Sequence, residues 1–250
     1  MEVALEERQR WQQRPDESPV MYQSWRELAF IHWKFEPQVV QDLLPPGLHV
    51  DTFDGSAWMA LVPFLMRNIH PWWFPSVPYI SNFLELNLRT YVYDDHGRPG
   101  VYFTSLSANR WLAVQAARKF FHLPYHHCQM KQKPDSDGGT HYSCKRFSDP
   151  HQNTCTFRYR PKGGPAEPAV PGTLEFFLAE RYLLFTSHPR HGLVLGQVHH
   201  EPYRVQQMEL LHYCECIFEL DDVPPPRREP DHLLFSPGVD VDVFGIRPVD

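Results

Sequence analysis

Proline decides much of what this chain can become. Twenty-five of its 250 residues are prolines, and they recur in every part of the sequence. Each removes a backbone donor and fixes φ at about −65°, so it interrupts helices and cannot sit inside a central ladder. Short strands joined by turns are the architecture that such a chain favours.

Between the prolines the patterning predicts elements in order. Residues 26–35 read as a strand and 36–47 as a short helix, with Pro37 in its first turn and Pro45-Pro46-Gly47 stopping it. Residues 48–66 read as a hairpin turning at Asp54-Gly55. The stretch HPWWFPSVPY (70–79) holds three prolines and four aromatics and is expected to be a loop. Strands follow at 83–93 and 101–106, then a helix over 107–122 with Ser107 as its N-cap and Leu123-Pro124 as its stop. A hairpin is predicted from 125–132 and 140–147 around DSDGG, a strand at 154–160, a helix at 173–180 capped by Thr173, and a hairpin from 181–187 and 192–200. Residues 205–220 fit a strand or a helix, and 233–246 a strand. The Pro/Gly-rich segment 161–172 is read as a surface loop, because neither flank has a pattern complete enough to fold alone. The expectation is a flexible N-terminal tail or frayed helix over 1–20 and one domain over 21–250, mostly β (α+β) with a few helices packed on it.

One strand raises a sharper question. In NFLELNLRTYVYDD (82–95), Leu84, Leu86, Leu88 and Val92 share one face, while Phe83, Glu85, Asn87, Arg89, Tyr91 and Tyr93 share the other. A wet outer face is the ordinary origin of such alternation. Two features favour a lined cavity instead: the polar residues are bracketed by aromatics, as in an apolar pocket with a few fixed polar groups, and a barrel-like chain has an inside to line.

Composition narrows the function classes. A net charge of −6 argues against nucleic acid as a partner, since phosphate binding needs a basic surface. No apolar run approaches the ~18 residues of a membrane span, and MEVALEERQRWQQRPDESPV lacks the apolar core of a signal peptide, so a cytoplasmic location is expected. The five cysteines form an odd set without framework spacing and are expected to be free thiols. The pairs His126-His127 and His199-His200, with Cys214-x-Cys216, are the best metal candidates. Adjacent histidines on a strand point to opposite faces, and a one-residue gap is not zinc-finger spacing, so no metal and no cofactor is expected.

Five blocks of the sequence resemble a known family: HWKFEPQVVQDLLPPGLHVDTFDGSAWMALVPF (32–64), ELNLRTYV (85–92), GVYFTSLSANRWLAVQAARKFFHLPY (100–125), LEFFLAERY (174–182) and LLFSPGVDVDVF (233–244). Together they resemble the YqjF-like family, which looks like part of the acetoacetate decarboxylase-like superfamily. The resemblance implies a cone-shaped antiparallel β-barrel with a few packed helices. It does not imply the decarboxylase chemistry. In those enzymes a lysine just after a proline forms a Schiff base with the keto acid, activated by a lowered pKa. Here Pro124 is followed by Tyr125, His126 and His127, and neither Lys119 nor Lys131 fits the motif.

The candidate ligand-binding residues are therefore Glu85, Asn87 and Arg89 on the strand, Arg118 where the decarboxylases also carry an arginine, Tyr125 in the lysine's place, and Arg181 and Tyr182 at a helix-to-strand junction. Glu85 and His126 are the candidate proton carriers. Each has a structural alternative: an internal ion pair for Glu85 and Arg89, a surface helix position for Arg118, a helix cap or buried salt bridge around Glu180-Arg181-Tyr182. The expected function is binding of a small anionic or carbonyl-bearing molecule. The alternatives are a lyase- or hydrolase-type enzyme working by acid–base chemistry on a small keto acid, and a metal-dependent protein. The aromatic segment 70–79 fits a lid, a homo-oligomer contact or a loop folded on its own core.

Overall fold

A computed structural model describes residues 3–77, 79–214 and 216–249. Among them the chain runs α1 (Leu5–Arg10), β1 (Met21–Phe35), α2 (Pro37–Gln41), β2 (Leu48–Val50), β3 (Ala57–Pro71), β4 (Phe83–Asp94), β5 (Pro99–Ala108), α3 (Trp111–Phe120), β6 (Tyr125–Pro134), β7 (Thr140–Arg146) and β8 (Cys155–Pro161). It continues through the two-residue β9 (Glu167–Pro168), α4 (Leu174–Ala179), β10 (Leu183–His188), β11 (Gly192–His200), β12 (Arg204–Tyr213), α5 (Cys216–Leu220), β13 (His232–Val243) and β14 (Arg247–Pro248). The protein is mostly β, as the proline distribution requires.

Hydrogen-bonded pairing returns to the strand it starts from. Beginning at β4, the ladder passes to β5, β10, β11, β13, β1 and β3 and back to β4. Every contact in this ring is antiparallel except β5 with β10, which is parallel and two residue pairs long. That junction depends on Gly100: a Cβ there would lie 2.7 Å from the Leu183 carbonyl oxygen and from the Phe185 ring. Curvature comes from irregularities in the long strands. The β1–β3 register slips between Arg26 and Ile31, where Glu27 takes a φ of 55°. A second slip opposes Leu88–Arg89 on β4 to Ser105 and Phe103 on β5, leaving Thr104 as the extra residue.

The rest of the sheet leaves the ring at β5 through a short parallel contact with β6 and continues β6–β7–β8–β12 to rejoin it at β13. This flap, with α2 and α5, covers the leucine face of β4. Leu84, Leu86 and Leu88 pack there with Trp33, Met59, Tyr142, Phe157 and Phe218 in a continuous buried cluster. A second cluster lies on the opposite side of β4 and includes Phe30, Phe64, Phe83, Leu106, Tyr203 and Val241. β4 is consequently buried along its whole length on both faces, so the wet-face origin of its alternation is ruled out.

Several local expectations are corrected. Residues 48–66 do not form a hairpin: β2 pairs with β4 (Leu48 opposite Asp94), and the intervening segment closes only a Phe53–Ser56 bridge. The turn itself is right, with Asp54 at φ 49° and Gly55 at 73°. Helix α3 starts at Trp111 with no side-chain cap, because Ser107 stays in β5 as a buried partner of the Arg146 guanidinium. Thr173 does cap α4, accepting from the Phe176 N–H. Residues 205–220 are a strand and then a helix. Cys155 and Cys216, expected free, form a disulfide across 61 residues where α5 packs on β8, leaving Cys128, Cys144 and Cys214 as free thiols. The segment before β1 lies on the body: Arg8 on α1 makes a two-pronged pair with buried Asp51 at 2.6 and 2.8 Å.

Candidate functional site

The ring encloses a cavity of about 330 Å³. Every ring strand contributes lining residues, among them Trp25, Phe64, Phe103, Leu183, Val198 and Val243, and α3 closes one side with Ala113 and Ala117. The wall is overwhelmingly apolar. On it stand Glu85, Asn87 and Arg89 from β4, Tyr125 from the start of β6, Arg181 from the α4–β10 junction, and Tyr203.

Glu85 and Tyr125 form the first polar group. The Tyr125 phenol donates to Glu85 Oε2 at 2.7 Å, and Asn87 is also hydrogen-bonded to this carboxyl. Burial penalises the charged carboxylate and outweighs both hydrogen bonds, so its pKa rises to about 7. Burial, then the nearby Glu85 charge, pushes Tyr125 well above the ordinary phenol value, so it stays a donor. Near neutral pH the pair holds a carboxyl that can give or take a proton in an apolar surround.

The second group is cationic. Arg89 donates from Nη2 to the Leu178 carbonyl at 3.2 Å, and its guanidinium lies over the Phe30 and Tyr91 rings. Among the described residues no carboxylate lies within 4.0 Å of it, so Glu85 and Arg89 are not the internal ion pair that their spacing allowed. Arg181 also lies over the Tyr91 ring and over Phe177. Its Nε donates to the Phe177 carbonyl at 2.9 Å and its Nη1 to Asp51 at 2.7 Å. Burial lowers the Arg181 pKa to about 10 against the pull of Asp51, so it remains charged. Burial alone would raise the Asp51 carboxyl, but the guanidinium groups of Arg181 and Arg8 hold it below its usual value.

Polar capacity is left over at this end. Asn87 Oδ1, Arg89 Nε and Arg181 Nη2 are all buried without a hydrogen-bond partner. A buried polar atom left unpaired costs about 1–3 kcal/mol. All three are on residues lining the one cavity, and Asn87, Arg89 and Arg181 each lie within a tenth of full burial.

Three residues singled out by sequence lie off the cavity wall. Arg118 uses Nε to bind the Tyr125 carbonyl at 2.7 Å and a second nitrogen to bind the same oxygen, which fixes the start of β6. His126 points toward Arg146 and Asp221; burial, then Arg146, lowers its pKa to about 4, so it is neutral and unsuited to proton transfer in the cavity. Tyr182 turns to the Glu180 carboxylate and stacks on His200. Conversely, Asp51 and Tyr203 were not visible in the sequence as site residues. Asp51 sits 130 positions from Arg181, and no motif links them.

Among the described residues, Cys155, Cys214 and Cys216 bring three sulfurs within 4.8 Å of one another. Two of them are joined as the disulfide, and Cys216 lies on the short helix α5. No residue lining the cavity belongs to this group.

Residues 22–240 match the model of DUF2071, a family described as an uncharacterized conserved protein. The chain belongs to the DUF2071 family. It is 36% identical over 216 residues to the uncharacterized protein YqjF of Bacillus subtilis (strain 168), covering 86% of this chain and 87% of YqjF. Among solved structures it is similar to the enduracididine biosynthesis enzyme MppR complexed with pyruvate, with a TM-score of 0.63 and 14% identity, covering 92% of this chain and 90% of that one. It is also similar to acetoacetate decarboxylase from Legionella pneumophila, with a TM-score of 0.64 and 11% identity, covering 93% and 88%. At these identities the likeness shows a shared acetoacetate decarboxylase-like fold. In this DUF2071 chain no lysine is among the described residues lining the cavity.

Proposed function

We propose that this DUF2071 protein binds a small anionic, carbonyl-bearing molecule inside a cone-shaped β-barrel, the closed ring of seven strands being that barrel. One observation carries the reading. Arg89 and Arg181 line the buried end of the cavity, and among the described residues the only carboxylate ion-paired with either is Asp51, which Arg8 also holds. The buried Glu180 accepts instead from Tyr182 and the Tyr203 N–H. An excess positive charge in a low-dielectric interior is costly until an anion neutralises it. A guanidinium with an unused N–H is suited to a carboxylate or enolate oxygen, and Arg89 has that capacity. The pyruvate held by the structural neighbour MppR is a molecule of this class.

Thermal-shift screening with small carboxylates and 2-oxo acids tests this. Stabilisation of the wild type that disappears in Arg89→Gln supports the reading; equal stabilisation of both proteins defeats it.

The second reading is turnover by acid–base chemistry on a small keto acid, and the Glu85 pKa of about 7 favours it. Glu85 would move a proton at the carbon next to the carbonyl while Arg89 holds the oxygen on which charge develops. Solvent-deuterium exchange into a bound 2-oxo acid, abolished by Glu85→Gln, identifies this activity, and binding without exchange assigns the protein to the binders. Borohydride treatment with the same acids is expected to leave every lysine unmodified.

A further inference from the structure

Resting on that reading, we infer that the ligand is amphipathic: an anionic carboxylate or 2-oxo acid head carried on an apolar tail of several carbons. The cavity is much larger than its polar end requires. Its volume of about 330 Å³ would hold roughly ten waters at ~30 Å³ each. A buried water needs two to four polar partners. Deep in the cavity those partners are confined to Glu85, Asn87, Arg89, Tyr125, Arg181 and Tyr203. Among the described residues, the only other uncharged polar or imidazole side chains on the wall, Gln23 and His70, are half-buried.

The apolar wall has a direction. Along β4 away from Arg89 come Leu106 opposite Asn87, Phe64 opposite Glu85, and then Phe83, and the lining also includes Ile80 and Leu112, which are 41% and 51% exposed. A head as small as pyruvate, seated on Arg89, would leave most of this surface without contact, and dispersion energy is lost wherever a wall faces a void. A chain of methylenes or an aryl group attached to the same head covers it. The exposed Leu112 and Ile80 then mark where the tail reaches solvent, between α3 and the aromatic segment that follows β3. Ala113 and Ala117 are small residues facing this path from α3, and their side chains set its width.

The test is a homologous series of 2-oxo acids from pyruvate to 2-oxooctanoate, titrated calorimetrically into the wild type, Arg89→Gln and Ala117→Phe, with straight-chain alcohols as headless controls. Each added methylene is expected to tighten wild-type binding about fourfold, equivalent to ~0.8 kcal/mol per buried CH₂, until the tail reaches Leu112. Ala117→Phe should flatten this dependence, because residue 117 lies on the apolar wall beside the tail. Affinity independent of chain length overturns the amphipathic assignment while leaving the anion site intact. If no member of the series binds the wild type, the underlying function is wrong. Alcohols binding as tightly as the acids, with Arg89→Gln without effect, keep the tail and refute the head.

Discussion

The two faces of β4 are built to opposite rules. Toward the flap, Leu84, Leu86 and Leu88 fill a continuous apolar core. Toward the ring, one residue away in sequence, Glu85, Asn87 and Arg89 stand on the wall of a cavity with unpaired polar atoms at its buried end. Both faces are buried, so exposure does not explain the contrast. The leucine face carries no polar side chain and is filled by packing, whereas Asn87 Oδ1 and Arg89 Nε on the polar face are buried without a hydrogen-bond partner, which on the proposed reading an anionic ligand completes. Burial alone therefore does not separate the two faces of β4; the unpaired polar atoms do.

Mutations should split along this line. Leu88→Ala is expected to destabilise the fold by about 2–5 kcal/mol through lost burial and a cavity the sheet cannot collapse into, read from urea denaturation at constant slope. A loss below about 1 kcal/mol would mean the flap side is not the tightly packed one.

Glu85→Gln should act through pH. The folded pKa of about 7 lies above the ordinary value of 4.5, so the folded state binds the proton more tightly. That contribution is complete below about pH 4.5 and is lost as pH rises toward 7. At ~1.4 kcal/mol per unit, the wild type should lose roughly 3 kcal/mol across this window relative to Glu85→Gln. Parallel pH–stability curves for the two proteins would show that Glu85 is not buried against an apolar wall.

Tyr125→Phe is a smaller change of about 1 kcal/mol, since one hydrogen bond to the carboxyl is removed. The same loss should move the Glu85 titration upward, because the phenol favours the charged form. A downward shift in the carboxyl infrared midpoint would contradict the Tyr125–Glu85 pairing.

Much of this contrast could be read from sequence, because a period of two is a local signal. The alternation of β4, the hairpins β6–β7 and β10–β11, and the Thr173 cap all depend on neighbours a few residues apart. Glu85, Asn87 and Arg89 were legible for the same reason, and Tyr125 and Arg181 through the family resemblance. What local pattern does not encode is pairing at a distance. β2 pairs with β4 and not with β3, Cys155 bonds Cys216 across 61 positions, and Asp51 pairs with both Arg8 on α1 and the cavity-lining Arg181. Ser107 failed as a cap because a distant arginine recruits it. Arg118 turns from α3 to the Tyr125 carbonyl, and His126 and Tyr182 turn toward Arg146 and Glu180, partners that a local pattern does not specify.

Arg89→Met decides the central claim most directly, by differential scanning calorimetry with and without 2-oxohexanoate. If the polar face of β4 exists for a ligand, the unliganded variant melts at or above the wild-type temperature, and the ligand-induced rise seen in the wild type is gone. A variant that melts several degrees lower without ligand, yet still gains the full rise when 2-oxohexanoate is added, would make Arg89 a structural residue and contradict the account.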